Sequence, residues 1–156
     1  MAESVKTVAE TDDPVADFFA QGWAYGEWAL THPQLYRLMF GLSSSGVPMH
    51  AGLEMTTAAT RAASAEGQAA AQVMIGSLDR VVQSGRIRPV QAVVAAGQFL
   101  SATHGFVFLQ IAGAFGESAH GFQVMASLGV NLMVGLGDSR EEAENSLQAA
   151  LTTRSG

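Results

Sequence analysis

At 156 residues, with 48% hydrophobic and only 14% charged side chains, the chain has the size of one domain and too little polar surface to cover itself alone, so self-association or membrane insertion is expected. A net charge of −6, with Lys6 the sole lysine, leaves no basic footprint for a phosphate backbone and excludes nucleic-acid binding by this segment itself. The absence of cysteine excludes disulfides, thiolate catalysis and thiolate metal sites, and fits a cytoplasmic setting.

Met1 to Asp13 is polar and acidic without a signal-peptide pattern. It is expected to be the end of a linker helix or a disordered N-terminus ahead of a single domain over 14–156. Asp12-Asp13-Pro14 predicts a helix start, with a carboxylate at the cap and proline in the first turn. Val15, Phe18, Phe19, Gly22, Trp23, Gly26 and Leu30 then form one apolar stripe. Pro33 should end this helix near Thr31-His32, because the residue before proline avoids the α region. A short helix from Gln34 to Phe40 and a Ser/Gly-rich loop from Gly41 to Pro48 follow.

A long helical stretch is predicted from about Ala51 to Ser84, Ala- and Thr-rich at first and amphipathic later through Val73, Met74, Leu78, Val81 and Val82. Gly85 sits where a C-cap glycine belongs. Pro89 should open a helix that runs without charge to Gly116, and a second uncharged helix should run from Ala119 to Gly137. Asp138-Ser139 is expected to cap a last helix from Arg140 to about Thr153, whose Glu141, Glu142 and Glu144 suit its N-terminal turn. The sum is six or seven helices and an all-α fold.

Two adjacent uncharged helices of spanning length could be a membrane hairpin. Gln91, Gln98, Ser101, Thr103, His104 and Gln110 in the first, and His120, Gln123 and Asn131 in the second, are expensive in hydrocarbon unless partnered. The reading preferred here is a homodimer in which the two helices from each chain make a four-helix bundle. Gly97, Ser101, Gly105 and Gly113 on the first helix, with Phe122, Ala126, Gly129 and Met133 on the second, are the expected interface.

His104, alone in an apolar helix, fits a ring bonded to a neighbour better than a metal ligand, because no second ligand lies at helical spacing from it. The aromatic set, with methionines such as Met39, Met55 and Met74, serves an ordinary core or an apolar pocket between helices. Catalysis finds no constellation: Ser43-Ser44-Ser45 has no elbow context, Asp12 and Asp13 are better explained as a cap, and Gly135-Leu136-Gly137-Asp138 is followed by no lysine. The chain is not expected to be an enzyme or to hold a cofactor or metal.

Trp28-Ala29-Leu30-Thr31-His32-Pro33-Gln34-Leu35-Tyr36-Arg37-Leu38-Met39-Phe40-Gly41, followed by Thr103-His104-Gly105-Phe106-Val107-Phe108-Leu109, resembles the ligand-binding and dimerisation domain of a TetR-type transcriptional repressor. The class meant is the one named for a Trp…His-Gly motif; at the tryptophan's place this chain has Phe99 and Leu100. The resemblance covers roughly residues 14–137. It implies a cytoplasmic homodimer whose pocket holds a small apolar or amphipathic inducer, and whose DNA contacts belong to an N-terminal helix-turn-helix expected outside this chain. On it, the ligand-binding set becomes Trp23, Tyr36, Phe40, Met55, Phe99, Thr103 and Phe106, with His104 a polar anchor. The alternatives are a stand-alone dimerisation module without ligand and a two-span membrane protein.

Overall fold

The computed structural model of the chain describes residues 9–39, 65–116 and 119–153, and in these it has six helices and no strand. The first part of the long helix expected from Ala51, the loop before it, and Phe40 and Met55 lie outside the described residues.

Helix α1 (Pro14–Thr31) begins as its sequence predicts. Asp13 is extended, and its carboxylate accepts the Val15 and Ala16 N–H groups at 3.0 and 3.1 Å, satisfying two donors that a helix start leaves open. The helix ends at Thr31, just before Pro33, and α2 (Pro33–Met39) follows at once. Helix α1 packs against α2, α3 (Ala65–Gln83), α4 (Ala92–Ile111) and α6 (Arg140–Thr153). It is therefore buried on more than one side: Phe18, Phe19 and Trp23 on the predicted stripe, and Asp17 and Gln21 off it. Leu30, at the end of that stripe, is exposed.

The boundaries of the apolar helices differ from the expectation in one consistent way: tertiary hydrogen bonds and left-handed glycines replace the ends. Gly85 closes α3 with φ of 75° and donates to Val82 O at 3.1 Å, as predicted. The next helix begins at Ala92 rather than Pro89. Arg88 is held in the preceding connection, its N–H donating to Leu136 O at 3.0 Å and its guanidinium to Gly135 O at 2.7 Å. At the other end α4 stops at Ile111 rather than Gly116, because Gly113 and Gly116 take φ of 81° and 66° and turn the chain.

Helix α5 (Ala119–Leu136) ends in a Schellman pattern: Asp138 N–H donates to Met133 O and Gly137 N–H to Val134 O. Gly137 has φ of 118°, and a Cβ there would lie 3.2 Å from Arg88 N, so both conformation and space favour glycine. The cap of α6 is Ser139. Its hydroxyl accepts from Glu142 N–H at 3.1 Å and donates to the Glu142 carboxylate at 2.9 Å, a capping box. Asp138, expected to share that role, is instead buried against Arg86.

The main core joins Phe18 and Phe19 of α1, Leu78 and Val81 of α3, Phe99 of α4, Met133 of α5 and Ala143 and Ala150 of α6. A smaller cluster at the α2 end holds Ala29, Tyr36, Phe106 and Val107. Helix α4 is long and apolar enough to cross a membrane, whereas the apolar part of α5, Gly121–Leu136, is shorter. Here α4 packs between α3, α1 and α5.

One end of the bundle is pinned by charge. Arg86, just after α3, makes paired bonds to Asp138 at 2.9 and 2.8 Å, and reaches Ser146 Oγ at 3.2 Å and Asp13 at 3.5 Å. Ser146 Oγ donates onward to Asp13 at 2.7 Å. Beside this network the buried Asp17 carboxylate accepts from Arg80 at 2.8 Å and from the Thr11 N–H and hydroxyl. Removing one member of a buried pair strands the other. Asp138→Ala is therefore expected to lower unfolding stability by about 3–5 kcal/mol, measured by urea titration. Glu144→Ala, which breaks only the exposed pair with Arg140, should cost less than about 0.5 kcal/mol.

Candidate functional site

Helices α1, α4 and α5 do not close on one another along their middle turns. Phe19 lies over Gly129, Met125 over Gly26, and Trp23 stacks on Phe122 with ring centroids 4.6 Å apart. Between these contacts the facing residues are small: Gly22, Ala102, Ala126 and Gly129 leave a cavity of about 120 Å³. Its walls are Phe18, Phe19, Trp23 and Tyr25 from α1, Phe99, Thr103 and Phe106 from α4, and Met125, Leu128 and Leu132 from α5. Ala71, Met74 and Leu147 complete the lining from α3 and α6. A space bounded this way favours apolar contents. Among the described residues, no charged side chain lines it.

Of the expected ligand residues, Trp23, Phe99, Thr103 and Phe106 come together on this wall. Tyr36 and His104 stand behind it. Tyr36 is almost fully buried, and its hydroxyl bonds His104 Nδ1 at 2.5 Å, while the hydroxyl of Tyr25, itself on the wall, bonds Nε2 at 3.1 Å. A neutral imidazole suits this pair, donating its one N–H to one hydroxyl and accepting a hydrogen bond from the other. Burial pushes His104 down to about 4 and Tyr36 up to about 12, and it pushes Tyr25 up as well, helped by Tyr36. All three groups are neutral near pH 7. The clasp links α1, α2 and α4 behind the cavity.

The residues expected at an interface divide. Ser101, Gly105 and Gly113 are exposed and Gly97 is half-buried. Phe122 is exposed yet stacks on Trp23. Ala126 and Gly129 line the cavity, and Met133 is fully buried in the core of its own chain. On α5 the polar residues Gln123, Ser127 and Asn131 recur every four positions and are exposed, while Met133 and Leu136 are buried, so its outward face is marked in the sequence. On α4 the exposed residues are Val94, Gln98, Ser101, Gly105, Phe108 and Leu109, the first five spaced alternately four and three as along a coiled-coil seam.

Sequence reasoning did not name Met125, Leu128, Leu132 or Leu147 as wall residues. The available signal was small residues set against large ones, Gly26 against Met125 and Gly129 against Phe19, and it acquires meaning only when α1 and α5 are known to face each other.

Residues 18–133 match the family described as tetracyclin repressor-like, C-terminal domain. No curated protein and no solved structure matches the chain.

The buried histidine makes stability pH-dependent. In the unfolded chain His104 titrates near 6.5, whereas in the fold it stays neutral down to about 4, so acid favours the unfolded state between those values. Its contribution is whole above about pH 6.5 and is lost as pH falls toward 4. Between pH 7 and pH 5 it should amount to about 1–2 kcal/mol. Urea titrations at the two pH values should show a smaller loss for His104→Gln than for the parent; equal losses would remove His104 as the source.

Proposed function

We propose, from the premise that this chain belongs to the family of tetracyclin repressor-like C-terminal domains, that it is the effector-binding and dimerisation half of a one-component transcriptional regulator. Domains of this family generally dimerise and bind small-molecule effectors, and the family is one of regulators, generally not enzymes. The observation that carries the reading is the apolar cavity among α1, α4 and α5. It suits a small apolar or amphipathic molecule in the cytoplasm, and DNA would be bound by a helix-turn-helix outside this chain. A ligand with different affinities for two arrangements of the dimer shifts their populations and thereby the spacing of the DNA-reading heads.

Pairing is proposed to use the exposed stripe of α4. Val94 and Phe108, 55% and 49% exposed, flank Ser101 and Gly105, where a Cβ on Gly105 would meet nothing within 4 Å. Two such stripes approach closely at their small centre and bury apolar side chains at the flanks. Exposed Leu109, next to Phe108, widens the apolar flank.

The solution mass of the protein, taken with a thermal-shift screen on the same sample, tests both halves. A dimer whose melting point rises with particular apolar compounds supports the sensor, because a ligand that prefers the folded state stabilises it. Phe108→Asp is expected to shift the mass to that of a monomer at micromolar concentration. Gly22→Leu places a side chain in the cavity, where a Cβ meets no neighbour within 4 Å. It should raise stability by roughly 1 kcal/mol and abolish the ligand response. A stable dimer whose melting point no apolar compound moves, before or after that substitution, favours a dimerisation module without ligand.

A further inference from the structure

Folded proteins rarely bury a hydrogen-bond donor without an acceptor, and each such group asks for a partner or a reason. On the cavity wall one does. Trp23 is only 8% exposed, and its indole N–H is buried with no acceptor among the described residues. The ring lies on the cavity wall and stacks on Phe122, and an acceptor reaches its N–H when the half-exposed Phe122 ring yields. Elsewhere on the α1 side of the wall Gln21 Oε1 accepts from Ser77 at 2.7 Å, and the Tyr25 hydroxyl bonds His104.

We propose that the Trp23 indole N–H is the donor that orients the cavity's ligand, and that the ligand is a compact neutral molecule with an apolar body and one hydrogen-bond acceptor, such as a ketone, ester or ether. The inference rests on the effector-binding reading above and narrows it. An indole nitrogen donates only, so an amine or amide N–H gains nothing at this point. Among the described residues no charged side chain lines the cavity, so a carboxylate would be desolvated there without a counter-charge. A volume of about 120 Å³ is close to that of an apolar cavity able to hold benzene, which limits the body to about a single ring.

The test compares acetophenone with α-methylstyrene, in which a methylene replaces the carbonyl oxygen at nearly constant shape. Affinities for the parent and for Trp23→Phe are measured by calorimetry. The ratio of ketone to hydrocarbon affinity should fall about fivefold to tenfold in the variant, the effect of one net hydrogen bond, whatever the change in hydrocarbon binding from the lost ring area. Both probes binding the two proteins with an unchanged ratio would leave the cavity in place and overturn the donor. Binding of neither probe to the parent would overturn the effector-binding reading, and the donor with it.

If Trp23→Phe fails to fold, the indole N–H resonance of the parent decides. In nitrogen-15-labelled protein, with Trp28→Phe used for assignment, the Trp23 proton should move downfield with acetophenone and not with α-methylstyrene. The same shift with both probes overturns the proposal.

Discussion

The arginine that follows α3 holds the bundle together at one end. Arg86 binds Asp138 between α5 and α6, Asp13 at the start of α1 and Ser146 on α6, so one guanidinium ties the end of α3 to two regions remote from it in sequence. Its planar array of donors can serve several acceptors at once, which an ammonium group on a flexible stem does less well. Asp138 is 5% exposed, and a carboxylate so placed is tolerable only with its charge matched and its oxygens bonded. In a chain with few charges, this placement constrains the relative positions of the helices more than any apolar contact does, since apolar contacts are not directional.

With that end pinned, the middle of the bundle is shaped by side-chain size. Phe18 and Phe99 meet edge to face with centroids 4.7 Å apart, and the Phe19 ring reaches across to Gly129 of α5. One turn further on, small residues face one another and the space is not filled. At the α2 end the Tyr25–His104–Tyr36 clasp draws three helices together again. The cavity thus lies between an ionic latch and a neutral hydrogen-bonded one. Such a void forfeits dispersion contacts and is costly in a core, and a ligand that fills it recovers those contacts.

The exposed stripe of α4 and the cavity lie on different faces of the same helix. Phe99, Thr103 and Phe106 face inward, whereas Ser101, Gly105 and Phe108 face out. The proposed pairing accounts for the continuous uncharged sequence of α4, since it covers one face with the chain's own core and the other with a second copy. The two roles proposed for the domain thereby share one rigid element.

Much of this is local chemistry that the amino-acid sequence determined. Asp13 before Pro14, Pro33 after His32, Gly85 after Ser84 and Ser139 three residues before Glu142 act within a few bonds of themselves, so the ends of α1 and α3 and the start of α6 were legible, as were the all-helical class and the two motifs that carry the family resemblance. His104 bonding a neighbour was legible too, because a polar ring in an apolar helix needs one. What only the tertiary structure decided was long-range partnership. Gln123, Ser127 and Asn131, four apart and exposed, mark the outer face of α5 in the sequence, but the sequence does not say that Gly129 meets Phe19. Nor does it say that Asp138 serves Arg86 rather than the cap of α6, or that Tyr36 reaches His104. Those choices depend on which segments meet in space, and groups 52 and 68 residues apart leave no local trace of the meeting.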